Sequence, residues 1–380
     1  MTRGGLFVKK LAAGEKRVIC SNASSPFGYF AWPSVIRLDD GKIACAMSGF
    51  RLKHICPFGK ACIMYSSDEG KTWTNPAPVI DTPLDDRDAG LTSFGKGRLI
   101  MTSFNNTTGF QESVNMRRNS EHSPSSEAQR CFIEAYIDLV RAGYDENKYL
   151  GSTYRISEDG GNTFGPLRFS PVTAPHGPMR MLDGSLMYIG RRFSRDDSFD
   201  DGSRPFIECH KLNASDSFEY VSAIENIEDE QGLLYSCEPH AVQLQDGRII
   251  VHIRVQGSAD HKVFTIYQSE SYDNGLHFTK PHRILGRLGG APAHLLLHSG
   301  GMLVSVCGYR EKPFGIRAMF SRDGGETWDT DWVLDDEGES GDLGYPASVE
   351  LSDGSILTVY YENKGGRSSI FGKTWTIPRL

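Results

Sequence analysis

The chain has 380 residues and a formal net charge of -7, which makes no electrostatic case for binding nucleic acid or an anionic membrane surface. No apolar run approaches the ~20 residues that cross a bilayer as a helix. Its 41 glycines and 11% aromatic content suit many short strands joined by tight turns, and no Pro/Ser-rich spacer or charge run separates two folding units.

The first element in chain order is a short strand at Arg17–Cys20. The phrase Pro33-Ser-Val-Ile-Arg-Leu-Asp-Asp-Gly41-Lys-Ile follows: an apolar strand, a tight turn and a second apolar strand. It returns as Pro239-His-Ala-Val-Gln-Leu-Gln-Asp-Gly247-Arg-Ile and Pro346-Ala-Ser-Val-Glu-Leu-Ser-Asp-Gly354-Ser-Ile, with looser copies ending at Gly97-Arg-Leu, Asp183-Gly184-Ser-Leu and Gly300-Gly301-Met-Leu. The copies lie mostly roughly 50 to 65 residues apart, a period that predicts a propeller with these strands at the inner positions of six blades. In the last blade the predicted strands are Ser348–Leu351, Ile356–Tyr361 and Ile370–Ile377. Arg17–Cys20 supplies its missing edge and closes the ring.

A second pattern interleaves with the first. Ser66-Ser-Asp68-Glu-Gly70-Lys-Thr72-Trp73 recurs at Ser157–Phe164 and Ser321–Trp328, and more loosely at Ser271–Phe278. Its Ser and Asp are suited to bond nearby backbone amides, its Gly to take the turn and its aromatic residue to enter the core. The one long interval between copies holds a helix. Ser126-Glu-Ala-Gln129 reads as a capping box, Ala128, Phe132, Ala135, Tyr136, Leu139 and Val140 follow helical spacing, and Gly143 stops it. Residues 107–150 are thus expected to form an insertion in blade two, with Gln111–Ser125 a mobile approach. Packed excursion, lid and dimer contact all stay open for it.

The eight cysteines lack disulfide-scaffold or zinc spacing, and Cys56 and Cys62 read as ordinary thiols. The N-terminal stretch has no sustained apolar segment of the signal-peptide kind. The expectation is a reduced, cytoplasmic protein, or a secreted one if a signal has been trimmed.

In a propeller the inner strands converge on a central pit. The position before each repeated proline, or its equivalent, is Trp32, Asp88, Pro175, Glu238, Ala291 or Tyr345, with His176, His240 and His294 around them. Polar groups converging on a pit make it the expected ligand site. The three histidines fall on successive blades without ligand spacing, so no metal or other cofactor is expected.

The form Ser-x-Asp-x-Gly-x-Thr-Trp/Phe resembles the Asp-box (BNR repeat) of the sialidase superfamily. The resemblance covers nearly the whole chain at fold level and implies an all-β, six-bladed, sialidase-like propeller, one domain over residues 1–380. Glu238-Pro239 followed by Arg254 resembles the family's glutamate and following arginine, and Gly344-Tyr345-Pro346 with Tyr360-Tyr361-Glu362 resembles the segment carrying a tyrosine nucleophile. By this resemblance Tyr345 is the nucleophile, Glu238 its base, and Arg254 and Arg310 clamp a substrate carboxylate, with Arg317 as runner-up to Arg310 and Glu362 nearby. Tyrosine suits this role because a carboxylate nucleophile would repel a carboxylate sugar.

Blade one departs from the pattern. Phe30-Ala31-Trp32-Pro33 has alanine where the first clamp arginine belongs, and Leu52-Lys53-His54-Ile55-Cys56-Pro57 has no acid where a general acid/base aspartate belongs. Arg191 follows Gly184 at the same offset as Arg254 follows Gly247, so it is one candidate replacement and Arg51 another. Asp88 and, second, His54 are the candidate acids.

The expected function is an exo-acting glycoside hydrolase that removes a terminal acidic sugar, sialic acid or a relative, from a glycan. Two other readings stay open: a propeller glycosidase or polysaccharide lyase using His176 or His240 as acid/base, and a non-catalytic carbohydrate-binding propeller. Oligomeric state, sugar and linkage are not legible.

Overall fold

The interleaved Ser/Asp repeat folds in one way at all four positions of the computed structural model, which describes residues 9–117, 126–193, 202–286 and 289–379. In the first copy Gly70 N–H donates to Ser66 Oγ (2.9 Å), while Thr72 N–H and its hydroxyl donate to the two Asp68 oxygens (2.8 and 2.6 Å). The copies at Asp159 and Asp323 repeat these bonds, and at Asp273 the His277 ring replaces the threonine hydroxyl. Each box closes a turn between two antiparallel strands by satisfying amides that the ladder leaves unpaired.

Those strands build small antiparallel sheets in a propeller-like arrangement. Among the described residues there are five sheets. The largest has eight strands, and it consists of two antiparallel four-stranded units joined by a single parallel bridge, Tyr29 to Ser368. One unit runs from Tyr29–Arg37 to Ala77–Ile80, and the other holds Leu343–Glu350, Ile356–Lys364, Arg367–Trp375 and Arg17–Cys20. The N-terminal strand therefore pairs where the repeats predict, with Arg17 opposite Gly372 and Cys20 opposite Ile370. The last unit's strands each extend past the predicted run at one end, because ladder pairing continues beyond the apolar residues, while the first stops at Glu350 and the third at Trp375, short of the predicted Leu351 and Ile377.

Successive innermost strands contact one another in a closed cycle: Tyr29–Arg37, Arg87–Gly95, Met179–Arg180, Gly232–Gln243, Ala293–Leu297 and Leu343–Glu350. The apolar core accordingly lies between neighbouring sheets. Met187 and Ile189 pack on Ala241, Ile249 and Val251, and Val304 and Ile316 pack on Ile356 and Trp375. Burying both faces of an inner strand explains its near-continuous apolar run. The outer strand Phe218–Ile224 keeps exposed positions.

Among the described residues, two α-helices and a short 3-10 helix, Glu146–Lys148, occupy the long interval. Residues 111–117 of the expected mobile approach instead belong to a helix, α1 (Thr108–Arg117); residues 118–125 of that approach lie outside the described residues. The predicted helix is α2 (Glu127–Gly143), and it carries the capping box between Ser126 and Gln129. Its buried stripe is Ile133, Ile137 and Val140, whereas Phe132 and Leu139 of the predicted face are exposed. The helix offered two overlapping apolar stripes, and the tertiary partner chose between them. Ile133 and Ile137 cover Leu52 and Cys56, so α2 braces the loop that holds His54.

Candidate active site

Four of the six positions before the repeated prolines share an uncommon backbone. Trp32, Asp88, Glu238 and Tyr345 have φ of 55°, 51°, 49° and 47°. At each, the pairing with the next strand shifts register, between Ala31 and Ser34, Arg87 and Gly90, Cys237 and His240, and Gly344 and Ala347. The prolines explain three of these bulges, since a residue without N–H cannot continue the ladder. A bulge re-aims the side chain before it, and positive φ at non-glycine residues is strain that persists where a site requires it. Gly344 completes the geometry: it has φ of 116°, and a Cβ there would stand 3.1 Å from Gly308 Cα.

The result is a tight cluster. Tyr345 Oη donates to Glu238 Oε1 at 2.6 Å. Arg254 Nη1 donates to Glu238 Oε2 at 2.6 Å and to Tyr345 Oη at 3.2 Å, and its Nη2 donates to Gln256 Oε1 at 2.7 Å. Burial and the Glu238 carboxylate push the Tyr345 hydroxyl well above its ordinary value, so it is a neutral phenol already aimed at a base. Burial works against the Arg254 charge, but Glu238, together with Cys237 and Tyr345, more than offsets it and holds the guanidinium protonated.

Arg310 adds a second cation. Its Nε donates to the Leu343 carbonyl (3.2 Å), and its guanidinium lies 5.6 Å from the Tyr345 ring and 5.5 Å from the Phe264 ring, which Arg254 also faces at 4.9 Å. Arg310 Nη2 and Arg254 Nε are buried without a hydrogen-bond partner. Two guanidinium groups with unused donors beside one phenol can receive an anion. Asp88 stands within the field of Glu238 and Arg254; burial first, and Glu238 second, push its carboxyl up to about 7.

The structure separates the remaining sequence candidates. Trp32 forms a wall, its ring 6.4 Å from Tyr345 and 6.1 Å from Tyr361. Arg51 is not a clamp residue: it is fully buried behind Trp32, ion-paired to Asp85 at 2.6 Å and bonded to Ser48 and the His54 carbonyl. Gln111 of α1 also donates to Asp85, so both helices support this corner. Arg191 stacks on Tyr235 (4.3 Å) and Phe206 (5.0 Å) and reaches the Ser236 carbonyl, so it braces the strand leading to Glu238. Arg317 is committed to the Asp335 and Pro313 carbonyls. Glu362 is 1% exposed and is held by Lys16, so it takes no part in the cluster.

His176, His240 and His294 come together but elsewhere. Their rings lie 4.2 to 5.5 Å apart and line a cavity of about 340 Å³ that none of Tyr345, Glu238 and Asp88 lines. Burial drives all three well below their ordinary values, to about 3 for His240. His240 Nδ1 accepts from Leu295 N–H and His294 Nδ1 from Ser348 N–H, so these rings cross-link strands. Among the described residues no group of histidine, cysteine and carboxylate side chains is arranged to hold a metal. All eight cysteines are free, seven of them buried.

Asp342, Tyr29 and Phe264 escaped the sequence reading. Asp342 accepts from Tyr29 (3.0 Å), Tyr361 (3.0 Å), His54 Nδ1 (2.9 Å) and Asn363 (2.7 Å). Burial opposes the charge, yet these donors hold the carboxyl well below the usual range. The only local signal was its place three residues before Tyr345; its partners Tyr29 and His54 are about 300 residues away in sequence.

Comparison with known proteins bears on the fold. The BNR repeat-like domain matches residues 152–358, more than half of the chain. No curated protein matches the chain by sequence. Among solved structures, a protein of unknown function from Dyadobacter fermentans is similar, with 22% identity, TM-score 0.71, and coverage of 97% of this chain and 99% of that one. The intramolecular trans-sialidase of Ruminococcus gnavus, solved with oseltamivir carboxylate, has 13% identity and TM-score 0.66, covering 94% and 97%. The NanB sialidase of Streptococcus pneumoniae has 13% identity and TM-score 0.64, covering 95% and 70%. The chain belongs to the BNR repeat-like domain family, with the fold of the sialidase superfamily.

Proposed function

We propose that the protein is an exo-acting glycoside hydrolase that releases a terminal acidic sugar of the sialic acid type from a glycan. The observation that carries this reading is the Tyr345–Glu238 hydrogen bond with Arg254 bridging both residues. Tyr345 Oη attacks the anomeric carbon and its proton passes to Glu238, already in contact. Arg254 and Arg310 hold the sugar carboxylate with the donors they leave unused. Asp88, protonated toward neutral pH, donates a hydrogen bond to the sugar from the pit wall.

The scaffold for this chemistry is read as one six-bladed propeller, counting the eight-stranded sheet as two blades, with residues 107–150 inserted in blade two. The lyase alternative loses support because His176 and His240 belong to the axial cluster. With Ala31 in place of a third arginine the clamp is a pair, which favours acidic sugars without requiring tight binding.

The test is release of 4-methylumbelliferone from its α-glycoside of N-acetylneuraminic acid, beside the neutral amide of the same sugar. Turnover of the acid, with loss of several kcal/mol of transition-state binding for the amide, supports the reading. Equal handling of both means that the arginines serve only Glu238 and that the substrate is neutral.

A further inference from the structure

Cleavage of an unactivated glycosidic bond needs a proton donor for the departing oxygen, on the side of the pit where the remainder of the glycan extends into solvent. Asp88 is buried on the same ring of strand positions as Tyr345 and Glu238. The His54 side chain is 44% exposed. Its ring stands edge-on to Trp32 at 5.0 Å and Trp32 stands 6.4 Å from Tyr345, so one aromatic ring links the part-exposed imidazole to Tyr345.

We propose that His54, oriented by Asp342, is the acid that protonates the leaving group and then the base that activates water; this rests on the glycosidase reading above. Asp342 already accepts from two tyrosines and an asparagine and is an acceptor toward its neighbours, so His54 Nδ1 carries the proton in the 2.9 Å contact with it. Proton exchange is thereby confined to Nε2. The loop is fixed on three sides: the Arg51 guanidinium donates to the His54 carbonyl at 2.8 Å, Leu52 and Cys56 are buried under Ile133 and Ile137 of α2, and Tyr29 Oη lies 2.9 Å from Nδ1. Such support makes a loop histidine a pre-organised group.

In the first step the Tyr345 Oη–carbon bond forms as the glycosidic carbon–oxygen bond breaks. The Tyr345 proton goes to Glu238, and the leaving oxygen takes the Nε2 proton of the imidazolium. In the second step neutral Nε2 removes a proton from water as its oxygen attacks the anomeric carbon, and the departing Tyr345 oxygen regains the proton held by Glu238. Water is the only co-reactant.

The experiment compares one acidic sugar carrying either 4-nitrophenol or methanol as leaving group. His54→Asn should slow release of methanol by at least about 100-fold. It should spare the first step for 4-nitrophenol, and added azide should restore that variant's turnover by attacking in place of water. Asp342→Asn, a positioning change, should act in the same sense and, by removing the carboxylate that offsets the lowering of the His54 imidazolium by burial, move the alkaline limb of the pH profile for the methyl glycoside to lower pH. Melting temperatures confirm that each variant is folded. Equal losses on both glycosides without azide rescue overturn the His54 assignment, as does a leaving-group-dependent loss in Asp88→Asn with His54→Asn unaffected. Failure of the wild-type protein to cleave either glycoside instead overturns the glycosidase reading, and the proposal with it.

Discussion

The Tyr345 hydroxyl meets the Glu238 carboxylate at 2.6 Å although the residues are 107 positions apart, and each is the left-handed residue before a strand proline. The same local irregularity, repeated on two strands of a ring, turns two side chains toward one point. Closeness and backbone strain together are the ground on which the roles proposed for the pair rest.

If Tyr345 attacks the anomeric carbon, Tyr345→Phe should abolish turnover with retention, and Glu238→Gln should lower kcat by at least about 100-fold. Product stereochemistry by NMR and steady-state rates check this. Near-normal activity of the phenylalanine variant would remove the nucleophile from the mechanism.

Arg254 and Arg310 should separate by what each leaves behind. Arg310→Gln breaks one bond to a backbone carbonyl, so folding stability should change little while KM for an acidic sugar rises about 10-fold or more. Arg254→Gln strips Glu238 of its counter-ion and should also lower stability, by about 1–3 kcal/mol. Urea titrations of both variants, beside their kinetics, decide whether the two arginines differ in this way.

For Asp88 the sign follows from its raised value. The folded protein keeps a proton that the unfolded chain releases between the ordinary carboxyl range and about 7, so stability falls as pH rises through that window. Asp88→Asn should therefore be more stable than wild type at pH 8, on the order of 2–4 kcal/mol, and no more stable near pH 4. Melting curves across pH test it; a variant destabilised at pH 8 would mean that the carboxylate is ionised and paired.

Arg51 and Asp85 form a fully buried pair, so Asp85→Asn should cost about 3–5 kcal/mol by leaving the guanidinium uncompensated. Its effect on acidic and neutral substrates should be equal, since Arg51 stands behind Trp32. A selective loss on the acidic substrate would restore Arg51 to the clamp.

Much of this protein was legible locally. The Ser/Asp turns, the hairpins around Asp-Gly, the closing strand at Arg17–Cys20 and the capped helix each depend on residues a few positions apart, where backbone hydrogen bonding and apolar periodicity act. The ring of positions holding Trp32, Asp88, Glu238 and Tyr345 was legible too, because a repeated phrase puts equivalent residues at equivalent places. Partner choice was not. Arg51, Arg191, Arg310 and Arg317 look alike as sequence, yet Asp85 claims one, aromatic faces another and backbone carbonyls a third, and Arg310 keeps an unused donor. Glu362 went to Lys16, His240 and His294 went to backbone amides and His176 to the Ser34 hydroxyl, and His54 found Asp342 almost three hundred residues away. The charge state and use of a side chain depend on what lies within a few ångströms and how much water remains, and only the closed tertiary structure sets either.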